Sequence, residues 1–120
     1  MTIHHCAVAI LPVNDMDAAQ HFFGRLGFRL TGDYGDYRIL TDDRGWRLHL
    51  NKAVEGWLRP GSNPFGLYLY TEEVDRFAAE FRNELAGKAP EHKEWGMYEF
   101  ALNGPDDTLV RVGCPSEMVG

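Results

Sequence analysis

Apolar positions along this chain change period in a fixed order, and the order occurs twice. Residues 2–12 are β-prone, with an unbroken apolar run over 6–12, and they predict a strand. The spacing then becomes helical. Ala18, Ala19, Phe22, Phe23 and Leu26 form one stripe, Asn14 or Asp15 can cap the first turn, and Gly27 can end the last. Segments 28–34, 36–41 and 46–50 alternate or are β-rich, divided by Gly35 and by Asp42-Asp43-Arg44-Gly45. The second half repeats the plan. A strand over 65–70 precedes an acidic helix start at Glu72-Glu73 and an apolar face of Val74, Phe77, Ala78, Phe81 and Leu85; short strands then reach Val112. Asp15-Met16-Asp17 and Glu73-Val74-Asp75 mark the same point in each half. The predicted class is α+β: tandem βαβββ modules at about 3–51 and 64–114, joined by a connection over 52–63 that contains Trp57, Pro60 and Gly61, all within one domain spanning 1–120.

Composition narrows the functional classes. A chain of 120 residues with 44% hydrophobic content and 13 glycines suits one globular domain rich in turns. The formal charge is −6, from 18 acidic and 12 basic residues, and no basic stripe occurs, so nucleic acid is disfavoured as a partner. Such a surface serves solubility, and it also attracts a cationic small molecule or a basic partner. The longest apolar run is far below the ~20 residues of a membrane span, and no signal-peptide pattern precedes it; no membrane partner and a cytoplasmic location are expected. Cys6 and Cys114 lack C-x-x-C spacing and read as reduced thiols. No G-x-S-x-G elbow or activated cysteine offers a nucleophile, so no catalytic residue is assigned.

Two stretches carry a family resemblance. From Trp95 to Arg111 the chain reads W-G-x-x-E-F-A-L-x-x-P-D-x-x-L-x-R, with Pro105 and its flanking residues set to turn between two strands. This resembles the closing hairpin of the vicinal oxygen chelate superfamily, which holds glyoxalases, extradiol dioxygenases, and fosfomycin and bleomycin resistance proteins. Val13-Asn14-Asp15, Phe22-Phe23 and Leu26-Gly27-Phe28 resemble its opening signature, with Phe23 where Tyr is usual. The likeness runs from about Ala7 to Gly113. It implies paired βαβββ modules whose curved mixed sheets enclose a concave pocket.

The resemblance also implies where a metal would bind: Val8 and His49 in the first module, Gly66 and Arg111 in the second. Only His49 has a ligand atom, and Arg111 is a permanent cation, whereas a catalytic divalent ion needs about three protein ligands. His4 and His5 read as a frayed terminal pair at the start of the first strand, His5 out of register with Val8; His21 falls on the first helix and His92 in the charged run Glu91-His92-Lys93-Glu94. The pattern resembles the bleomycin resistance branch, whose members bind glycopeptide antibiotics in grooves between two chains that exchange elements near a proline. Pro12 has a comparable place, and it reads equally as a strand terminator. The expectation is a homodimer with no metal and no cofactor that sequesters a small aromatic or cationic compound. The alternatives are a lyase, dioxygenase or transferase using an atypical metal set around His49 and Glu99, and a domain that binds a metabolite or protein.

Strand parity turns these positions into a lining. Leu109 accompanies Arg111; on the partner strand the pairing that the resemblance implies brings Trp95, Met97, Glu99 and Ala101 to the concave face and turns Phe100 and Leu102 to the helices. By module symmetry Arg47 joins His49, Tyr37 joins Ile39, and Tyr68 and Tyr70 join Gly66. The predicted ligand-binding residues are Tyr37, Arg47, His49, Tyr68, Trp95, Glu99 and Arg111. All but Arg47 have a competing role: the aromatics in a core or dimer seam, Glu99 and Arg111 as a mutual ion pair, His49 as a neutral hydrogen-bonding group.

Overall fold

In the computed structural model, which describes residues 5–85 and 89–119, the chain divides into two compact units with their boundary between Leu58 and Arg59. Each unit is a four-stranded mixed sheet with one helix against one face. The fold is α+β and follows the βαβββ plan twice.

The first unit contains β1 (Ala9–Val13), α1 (Met16–Arg25), β2 (Arg29–Asp33), β3 (Tyr37–Thr41) and β4 (Arg47–Lys52), in the sheet order β1-β4-β3-β2. β1 runs parallel to β4 and the other pairs are antiparallel. The Asp15 side chain accepts the Ala18 backbone N–H at 3.0 Å and caps α1. After the helix, Gly27 has φ of 105°, a conformation that favours glycine. Alternation sends Leu11, Val13, Leu40, Leu48 and Leu50 to the helix side, where they bury with Met16, Ala19, Phe23 and Leu26.

Several boundaries differ from expectation. Ala18 is exposed and Phe22 half-buried; because α1 starts at Met16, the buried stripe is 16, 19, 23 and 26. The first strand does not extend over 5–8, because its ladder begins at Ala9 opposite Leu48, one residue into β4. Its predicted start, with His4, lies outside the described residues. β4 continues to Lys52, paired with Val13. The first half of the connection packs into this unit: Ala53 donates its N–H to the Val13 carbonyl at 2.8 Å, and the Asn14 side chain donates to Leu58 O at 3.0 Å.

The second unit contains β5 (Gly66–Tyr70), α2 (Val74–Glu80), β6 (Glu91–His92), β7 (Met97–Asn103) and β8 (Leu109–Pro115), in the order β5-β8-β7-β6. Leu69, Phe100, Leu102, Val110, Val112 and Cys114 bury with Val74, Phe77, Ala78 and Phe81. α2 has seven residues, no side-chain cap at Glu73, and ends at Phe81. Leu85 therefore leaves the predicted helical face and bridges to Leu102. The β7–β8 turn is a short 3-10 segment, Pro105–Asp107, with positive φ at Asp106 and Asp107. Asn63 clamps it, donating to Asp106 O at 3.1 Å and to Thr108 Oγ1 at 2.8 Å.

Candidate functional site

On the open face of the second sheet, four predicted site residues meet around one carboxylate. Glu99 is only 2% exposed, yet it lies on the strand face away from α2, and its burial comes from the side chains that cover it. The Tyr68 hydroxyl donates to Glu99 Oε1 at 3.1 Å and the Trp95 indole N–H donates to the same oxygen at 2.8 Å. Arg111 Nε stands 3.5 Å from Oε2, and its guanidinium lies 5.6 Å from the Trp95 ring centre. A buried carboxylate is costly unless its charge is offset and its lone pairs are bonded. Here two neutral donors and one cation meet that need. Burial first, then the hydrogen bond to Glu99, pushes the Tyr68 hydroxyl well above the usual phenol range, so it stays a donor at neutral pH.

Gly113 makes the cluster sterically feasible. It stands opposite Glu99 in the β7–β8 ladder, and a Cβ there would fall 2.4 Å from the Tyr68 hydroxyl, 2.7 Å from Glu99 Cβ and 2.8 Å from the Tyr98 carbonyl. Trp95 precedes β7 on a turn in which Gly96 has φ of 82° and donates its N–H to Lys93 O at 3.0 Å. That turn folds the indole back over Glu99 while 53% of the residue remains exposed.

On the first sheet, His49 sits at the centre, level with Ile10 on one side and Ile39 on the other. Its Nδ1 shares a 2.7 Å hydrogen bond with the Tyr37 hydroxyl, and the two rings meet edge to face at 5.4 Å. A cavity of about 830 Å³ opens here, lined by Cys6, Val8, Thr31, Arg44, Arg47 and His49 among others. Tyr37 is outside that lining and reaches it only through its contact with His49. Cys6, Thr31 and Arg44 were not predicted as lining residues. Thr31 sits where the β2–β3 register shifts between Leu30 and Gly32, and a glycine inside a strand pattern is the one sequence signal for such a bulge. Arg44 belongs to the turn after β3, where Asp43 adopts φ of 64° and accepts from Arg29 Nη2 at 2.9 Å. That hydrogen bond holds the Asp43 carboxyl below its usual range.

Among the described residues the remaining histidines are His5, His21 and His92. His5 and His21 are exposed, and His92 at the β6 edge bonds Ser116 Oγ at 2.9 Å through Nδ1. The four family metal positions supply a single ligand-bearing side chain, His49, and among the described residues no group of three His, Cys, Asp or Glu side chains could hold an ion. The donor set does not fit a catalytic divalent metal. No helix among the described residues is long and apolar enough to cross a membrane.

Comparison with known proteins agrees with this fold. The family model described as the Glyoxalase/Bleomycin resistance protein/Dioxygenase superfamily matches residues 2–112. The chain is 29% identical over 117 residues to a bleomycin resistance protein of Klebsiella pneumoniae, covering 85% of this chain and 86% of that one. A bleomycin-binding protein crystallised with bleomycin superposes with a TM-score of 0.79 at 27% identity, over 92% of this chain and 98% of the other. A bleomycin resistance determinant encoded on the transposon Tn5 gives 0.80 at 26% identity, over 93% and 98%. The chain belongs to the glyoxalase/bleomycin resistance protein/dioxygenase superfamily, and these similarities support its bleomycin resistance branch.

Proposed function

We propose that this protein binds and sequesters a small aromatic or cationic compound of the bleomycin type, without transforming it and without a metal, in the cleft of a homodimer. The observation that carries the proposal is the Trp95–Glu99 pair. An indole that is half exposed and fixed through its N–H to a buried carboxylate offers a flat apolar surface whose orientation is set before a guest arrives. Little ordering entropy is then lost on binding. Bleomycin binding and resistance are what the similar proteins are described by, and that agreement supports an antibiotic-like guest. Glu99 is a poor general base, because it is covered on all sides by its own donors. Dimerisation is part of the proposal because β1 and β5 end their sheets as edge strands, and Ile10 and Tyr70 on them are 54% and 63% exposed.

Titration of intrinsic tryptophan fluorescence with bleomycin tests the reading. Saturable quenching in the micromolar range or tighter is expected, and Trp95→Phe should remove most of the response although two other tryptophans remain. Absence of quenching at high micromolar bleomycin rules out the antibiotic guest. Elemental analysis of the purified protein should show no stoichiometric divalent ion. An ion that is present and is lost in His49→Ala would replace this proposal with the metalloenzyme.

A further inference from the structure

The cavity of the first unit has a local charge opposite to that of the whole chain. With a formal charge of −6, a cationic guest is the simple expectation, yet the lining sets Arg47 and His49 beside one carboxylate, Asp43, while Arg44, also in the lining, is engaged in an interaction of its own. Asp43 does not pair with Arg47 or His49. Its Oδ1 and Oδ2 both accept from the Arg29 guanidinium, at 2.9 and 2.5 Å, and Arg29 is outside the lining. Arg47 is exposed, and among the described residues its guanidinium has no hydrogen-bond or ion-pair partner. The hydroxyls of the lining are committed: Thr31 donates to Ile39 O at 3.1 Å and Thr41 to Trp46 O at 3.2 Å. Recognition inside the cavity therefore falls to nitrogen donors. His49 supplies one when the Tyr37 hydroxyl donates to its Nδ1, because the ring hydrogen is then on Nε2.

We propose that this cavity is an anion subsite, in which a carboxylate, sulfonate or phosphate group of the ligand pairs with the Arg47 guanidinium and accepts a second hydrogen bond from His49 Nε2–H. The proposal rests on the reading of the chain as a small-molecule binder and deepens it. The guanidinium fork matches the two oxygens of such a group, and Val8 and Ile39 in the same lining give an adjoining aromatic ring an apolar wall. The ligand class that results is a small aromatic acid, or the acidic arm of a larger zwitterionic compound.

Cys6 provides a reporter at the site. It is exposed and lines the cavity, whereas the only other cysteine, Cys114, is buried. Alkylation of Cys6 by neutral iodoacetamide is followed in the intact protein while 1-naphthoate, its uncharged amide 1-naphthamide, or inorganic phosphate is added. Protection by naphthoate at concentrations where naphthamide gives none is the expected result. Arg47→Gln should raise the naphthoate concentration for half-protection roughly tenfold, the loss of about one charge-assisted hydrogen bond. Arg47→Lys should raise it less, and Arg82→Gln, which removes the same charge from an exposed position in the other unit, should leave it unchanged. Protection by phosphate alone identifies a free oxyanion as a sufficient ligand, and protection by naphthoate alone identifies an aromatic acid. Equal protection by acid and amide, or equal affinity in wild type and Arg47→Gln, overturns the proposal. Bleomycin quenching of Trp95, measured on the same proteins, reports separately on the binding function.

Discussion

Glu99 and Gly113 show how one residue without a side chain permits another with a charge. Gly113 lies opposite Glu99, and its missing Cβ leaves the space in which the Tyr68 hydroxyl reaches the carboxylate. Gly113→Ala should therefore destabilise the protein by about 1–3 kcal/mol, the usual cost of overpacking, measured as a lowered urea midpoint at constant m-value. Adding Tyr68→Phe should recover only part of the loss. It removes the contact at 2.4 Å but leaves the Glu99 Cβ and the Tyr98 carbonyl at 2.7 and 2.8 Å. A neutral Gly113→Ala would disprove the steric account. The Glu99–Arg111 pair was legible in the sequence, as one of two roles, from strand parity together with the hairpin pairing that the family resemblance implies. The convergence of Trp95 and Tyr68 on the same oxygen was not, because it depends on the reversal at Gly96 and on side-chain reach, and neither has a periodic signature.

Among the elements, the helix whose ends are chemically marked was read most accurately. Asp15 and Gly27 bracket α1 as expected, whereas α2 has no side-chain cap at Glu73 and stops before Leu85. The exposed Ala18 has the same origin as the buried Met16: apolar spacing gives a helix its period, but its rotation follows from the residue at which the first turn begins. Strand limits are set by partners, which is why β1 begins at Ala9 and not earlier. Asp15→Ala should cost about 1 kcal/mol through loss of the bond to the Ala18 N–H, while Asp15→Asn should cost much less because its amide oxygen still accepts. Chemical denaturation of the two variants side by side separates the capping contribution from a simple charge effect.

For the whole molecule, the internal repeat was the strongest sequence signal, since two helix starts and two sets of strands in the same order leave few folds to consider. Net charge does not fix the charge of a cavity. It sums every surface group, whereas a ligand meets only the few that line a cavity, and in the first unit those groups are mainly basic. The proposed homodimer is the remaining question at this scale, and mass action tests it. Sedimentation equilibrium should return twice the chain mass at micromolar protein, and the melting temperature should rise with protein concentration, as it does when folding and association are linked. If the cleft lies between chains, bleomycin affinity should also fall once the protein is diluted below the dimer dissociation constant, because separated chains hold half of the lining each. A chain mass that stays at the monomer value, with bleomycin affinity independent of dilution, would assign the binding site to a single chain and remove the dimer from the mechanism.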